Sequence, residues 1–239
     1  MSQESSLSSY LTKVAHASTP FIGAFLLVHL SSPTMASIGG TSLSSRILLL
    51  GREYYQTALG EPILVLGPIM VHICAGVAKR ILSGAPRKKP RPLTTVLTWT
   101  GYTAALLFLP VHYLTHRIYP TCTDLPIDAI GPAELDYEFV KYGIQRWPLR
   151  SWILYGGLTG CVALHAITGM KVIWQTWFGG ERRKADTRRK RIDPLVAASF
   201  VVAPVLLGIF AVSREPLMVL SPTIKRFDAV FERSWLYRI

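Results

Sequence analysis

Four histidines stand inside long apolar stretches of this chain: His29, His72, His112 and His165. An imidazole among lipid-facing residues must find a partner, because an unpaired polar group is costly there. The surroundings of two of them repeat. His72, in MVHICAGVAKR, is followed by Gly76 and then by Lys79 and Arg80; His165, in ALHAITGMK, is followed by Gly169 and Lys171. A residue four positions on shares the helix face. Each glycine therefore leaves a flat recess beside an imidazole, with cations one or two turns beyond. Imidazoles, a recess for a planar macrocycle and cations for its propionates are what bis-histidine ligation of haem b requires. The bland alternative is that each histidine hydrogen-bonds between helices and each glycine serves close packing.

The elements that must position these groups are five apolar segments, at about 14–30, 62–82, 93–114, 152–174 and 194–212. Crossing a bilayer takes roughly 20 helical residues, and lipid offers no partner to an open backbone, so each segment is expected to be helical. Composition agrees. Half of the 239 residues are hydrophobic and only 17% are charged, against about 25% in soluble domains. The net charge of +12 would point to nucleic acid in a soluble chain. Here the basic residues sit between apolar segments, where topology explains them, and the bilayer replaces nucleic acid as the expected partner. The expected fold is all-α: a five-helix membrane domain over 14–213, with a four-helix core, a short N-terminal tail (1–13) and a C-terminal tail (214–239). Trp235 and Tyr237 in that tail suit a membrane interface.

The connections after the second and fourth segments, SGAPRKKPRPLTT and GGERRKADTRRKRID, are short and basic. Five spans put both on one side, and the positive-inside rule places them with the N-terminus on the cytosolic side. The longer connection 117–150 carries Asp124, Asp128, Glu134, Asp136 and Glu138. Their spacing fits no metal loop, so a solvated loop is expected. With alternating span direction and a rise of about 1.5 Å per residue, His29 matches His112 in depth, and His72 matches His165. Gly101, about three turns before His112, is expected on the His112 face. Cys74, Cys122 and Cys161 form neither a disulfide framework nor a zinc pattern. No nucleophile elbow, P-loop or dinucleotide fingerprint is present, so no enzymatic activity beyond electron transfer is expected.

These stretches resemble known families. ASTPFIGAFLLVHL, MVHICAGVAKR, TWTGYTAALLFLPVHYLTHR and ALHAITGMKVIWQTW are similar to the five-helix di-haem cytochrome b anchors of succinate dehydrogenases and fumarate reductases. That resemblance implies two haems, one held by His29 and His112, the other by His72 and His165. TPFIGAFLLVHLSSP, the Trp-Thr-Gly-Tyr opening of the third segment and LHAITGMK resemble the fungal mitochondrial adaptor proteins of the Mcp type more closely. This second resemblance implies an outer-membrane protein of lipid homeostasis that recruits a lipid-transfer protein through a Pro-x-Pro motif in an N-terminal extension. Residues 1–13 contain no proline, and the Pro-x-Pro of this chain is Pro90-Arg91-Pro92 in a basic loop. Two function classes result: a contact-site protein of lipid homeostasis, and a haem b electron carrier between a dehydrogenase and quinone. The N-terminal segment MSQESSLSSYLTK lacks the Arg-rich pattern of matrix targeting, which favours the first.

Overall fold

The computed structural model describes residues 2–83, 92–178 and 193–238. The chain is an all-α membrane protein, with no strand among the described residues. Its helices are α1 (Ser2–Tyr55), α2 (Gly67–Ser83), α3 (Pro92–Thr103), α4 (Leu109–Tyr113), α5 (Tyr137–Arg146), α6 (Pro148–Phe178), α7 (Pro194–Ser213) and α8 (Ser221–Arg233). Among the described residues, four helical stretches are long and apolar enough to cross a bilayer: Ser6–Tyr55, Glu61–Leu82, Pro148–Phe178 and Pro194–Ser213. The expected third span is also helical, from Pro92 to Ile118, but α-turns alternate in it with π-turns at Ala104–Phe108 and Leu114–Ile118. Both basic connections, with Pro90 and Arg91, fall largely outside the described residues.

The π-turns have a common cause. Each of them, and a third at Glu61–Leu66, is capped by the residue before a proline: Gly67 before Pro68, Leu109 before Pro110, Tyr119 before Pro120. Proline donates no hydrogen bond, and its ring strikes the carbonyl four residues back. The preceding amide instead reaches five residues back: Gly67 to Pro62, Leu109 to Ala104, Tyr119 to Leu114. One extra residue per turn relieves the clash without opening the backbone to lipid.

The chain divides into two compact units, residues 1–31 with 50–92 and residues 32–49 with 93–239. In the first, the opening part of α1 meets its closing part where Gly51 lies against Val28 and Phe25 meets Tyr55 edge-on at 5.1 Å. α2 is joined to the opening part through His72.

In the second unit α1 breaks at Gly39–Gly40. Gly40 has φ +58, a conformation that favours glycine, and the Glu215 carboxylate lies where its Cβ would be. Ser32 Oγ donates to Ser44 O across the break at 2.8 Å. Ala36 and Leu48 pack there with Tyr137 and Val212. The backbone of α7 closes on the Pro33 carbonyl at Gly208. Residues 117–150, expected as a solvated loop, are instead folded. α5 is buried at Tyr137, Phe139, Tyr142 and Ile144. It packs on α8, which is buried at Phe227, Val230 and Phe231.

Asp124, Glu134, Asp136 and Glu138 of that segment have specific partners. Asp136 caps α5 by accepting from the Glu138 amide at 2.8 Å. Glu134 pairs with Arg226, and Asp124 with Arg233, both at 2.6 Å. The Glu134 carboxyl is held below its usual range by the Gly131 amide and by Arg226. Burial raises that of Asp136.

Gly40→Ala is expected to destabilise the purified protein by about 1–2 kcal/mol from its backbone conformation alone, with a further cost from displacing Glu215. Gly23→Ala, where a Cβ meets nothing within 4 Å, is expected to be near neutral. Thermal unfolding of both variants in detergent checks the difference.

Candidate functional site

His29 and His72 are engaged inside the first unit. His72 Nδ1 lies 3.1 Å from the Ala15 carbonyl and 3.2 Å from Ser18 Oγ. A carbonyl only accepts, so Nδ1 carries the proton and the lone pair is on Nε2. A Cβ at Gly76 would meet nothing within 4 Å. Lys79 Nζ donates to Thr12 Oγ1 at 2.7 Å, and Arg80 is exposed. His29 stacks on Phe25 at 5.2 Å, with Nδ1 3.4 Å from the Tyr55 hydroxyl.

In the second unit His165 repeats the geometry of His72. Its Nδ1 donates to the Leu97 carbonyl at 3.0 Å, which again leaves the lone pair on Nε2. Its ring lies over Gly101, where a Cβ would come within 2.7 Å. Gly169 is beside it, with Leu97 Cδ1 3.6 Å from its Cβ position, so α3 fills that recess. Lys171 is half-buried on the same helix. Gly101 was expected on the face of His112. The π-turn at Ala104–Phe108 between them displaces the later side chains by about one residue, or 100° around the axis.

The ring of His112 lies tilted against that of His116, with centroids 4.7 Å apart. His116, one turn past His112, is central to this region. Its Nε2 is 3.1 Å from the buried Tyr155 hydroxyl. Phe139 and Phe231 meet its ring edge-on, at 5.3 and 6.3 Å. Above it Phe139 stacks on Phe231 at 4.5 Å, and Trp147 and Tyr237 close the cluster. Burial pushes the Tyr237 phenol up to about 12. Burial and the neighbouring Asp228 carboxylate also raise Tyr142. The haem pairs His29–His112 and His72–His165 each have one member in either unit.

A second cluster was not anticipated from sequence. Lys141 is 1% exposed. Its Nζ donates to Glu138 Oε1 at 2.7 Å and to Thr41 Oγ1 at 3.3 Å. Glu138 Oε2 accepts from the Met218 amide at 2.8 Å. Both Glu215 oxygens accept from the Thr41 amide, at 3.1 and 3.2 Å. The break in α1, helix α5 and the α7–α8 connection are thus tied at one charged point. The clue in the sequence was the Glu138–Lys141 spacing, which puts the two on one face of a helix.

Comparison with known proteins decides part of the reading. Residues 107–217 match the family model described as the transmembrane domain of MDM10-complementing protein 1. The matched segment holds His112, His116, Tyr155, His165 and the Glu138–Lys141–Glu215 cluster. His29, Thr41 and His72 precede it. No curated protein and no solved structure gives a significant match. The likeness to the cytochrome b anchors therefore rests on the residue pattern alone.

Lys141→Met leaves the Glu138 carboxylate buried without its cation, and a loss of about 3–5 kcal/mol is expected. Glu138→Gln combined with Lys141→Met is expected to recover much of it. Chemical unfolding of both variants in detergent, read by tryptophan fluorescence, tests this.

Proposed function

We propose that this chain is a mitochondrial outer-membrane protein acting in lipid homeostasis, as a contact-site adaptor rather than an enzyme. The observation that carries the reading is the match of residues 107–217 to the MDM10-complementing protein 1 transmembrane domain. The matched segment carries Glu138 and Lys141 of the buried charged cluster. In this reading the partners are the bilayer and a lipid-transfer protein, and the N-terminus and basic loops face the cytosol. In the same reading Pro90-Arg91-Pro92 belongs to a basic connection assigned to the cytosolic side. The family's name supplies the test. Expression of the chain in cells lacking MDM10 is expected to restore growth and phospholipid composition. Failure of a correctly targeted, stably expressed chain to do so would remove this reading.

A second reading is favoured by the tautomers of His72 and His165. A histidine that ligates a metal usually donates its other ring nitrogen to a carbonyl, and both do so, to Ala15 and Leu97. With His29 and His112 they would hold haem b. Bound haem would supply reversible one-electron transfer between a dehydrogenase and quinone. Gly76 leaves room at His72, and Arg80 and Lys171 supply positive charge. Reduced-minus-oxidised spectra of protein made with ample haem are expected to show a haem b band that His72→Ala and His165→Ala diminish. Absence of the band in the wild-type chain sinks this reading.

A further inference from the structure

A groove of about 390 Å³ runs where the end of α5, the start of α6 and the end of α7 meet. Pro148, Trp152 and Phe210 supply its apolar wall, and Gln145, Ser213 and Arg214 its polar rim. Its level in the membrane follows from the helices. α7 remains apolar up to Ser213, and the apolar part of α6 begins near Trp152. The groove therefore opens where hydrocarbon gives way to headgroups, the depth at which tryptophan concentrates.

Arg214 is exposed and directly follows the last residue of α7. Among the described residues no carboxylate forms an ion pair with it. Its neighbour Glu215 turns away, both oxygens accepting from the Thr41 amide. The carbonyl end of a helix disfavours an anion, and Gln145 offsets this. Its Nε2 donates to Ser213 O at 3.3 Å and to Glu215 O at 2.9 Å, which also fixes the backbone around Arg214.

We infer that this groove binds an anionic phospholipid, its phosphate at Arg214 and the upper part of one acyl chain along Trp152 and Phe210. The volume suits a headgroup and glycerol region and lies within the roughly 300–1,000 Å³ of small-molecule sites. The remaining hydrocarbon stays in the bilayer. The site requires only that the chain is membrane-embedded, so it and the mitochondrial reading can fail independently.

The test uses the full chain in detergent, incubated with palmitoyl-oleoyl phosphatidylglycerol or phosphatidylcholine, with retained lipids counted by native mass spectrometry. One phosphatidylglycerol is expected to be retained in preference to phosphatidylcholine. Arg214→Gln is expected to weaken retention about fivefold, the effect of one basic residue at a membrane surface. Arg214→Lys should keep it, and so should Lys225→Gln on the exposed face of α8. Trp152→Ala should weaken retention of both lipids. Equal retention of the two lipids by the wild-type chain, or undiminished phosphatidylglycerol retention by a folded Arg214→Gln, overturns the inference. Displacement of the lipid by millimolar inorganic phosphate identifies a free-phosphate site and also overturns it.

Discussion

A lysine ammonium enclosed by protein governs the second structural unit. Lys141 cannot be stripped of water unless other groups replace that hydration, and Glu138 and Thr41 do so. Glu138 in turn holds the Met218 amide, and Thr41 is held by Glu215. One buried charge therefore prescribes the positions of three segments far apart in sequence. Such a pair adds little net stability over an apolar replacement. Its effect is on specificity, because any arrangement that moves α5 from the break in α1 leaves an ion buried alone.

That placement of α5 has a further result. Phe139, one residue after Glu138, stacks on Phe231 and covers the edge of the His116 ring. The aromatic cluster partly shields the His116–Tyr155 contact from solvent, and hydrogen bonds strengthen where the local dielectric falls. The charged cluster and the aromatic cluster are thus two consequences of a single helix position. They cover His116 with rings from a connection and a C-terminal segment, while Tyr155 of α6 meets it by hydrogen bond.

The apolar segments were legible because a bilayer admits almost nothing but helices, so hydropathy and length fix both state and place. The four histidines stood out for the same reason. The connection 117–150 was not legible, because its acidic composition reads as solvated while Asp124, Glu134, Asp136 and Glu138 in fact engage Arg233, Arg226, the start of α5 and Lys141. The burial of α8 was available in the spacing of Phe227, Val230 and Phe231, a single helical stripe. It was hidden by the assumption that a polar C-terminal segment is a tail. Gly101 was assigned to the wrong histidine because periodicity was carried unchanged through a proline.

The π-turns ahead of Pro68, Pro110 and Pro120 carry a consequence for how such a protein can change. A helix that already stores one surplus residue has a place to take up or release another locally. A single-residue insertion or deletion there need not twist everything downstream out of alignment. The proline-bearing helices are in effect short segments with independently set phases, coupled end to end. Relatives that differ by one residue before a proline can present the same histidines to the same neighbours, and comparisons forced to remain gap-free across these points would miss that correspondence.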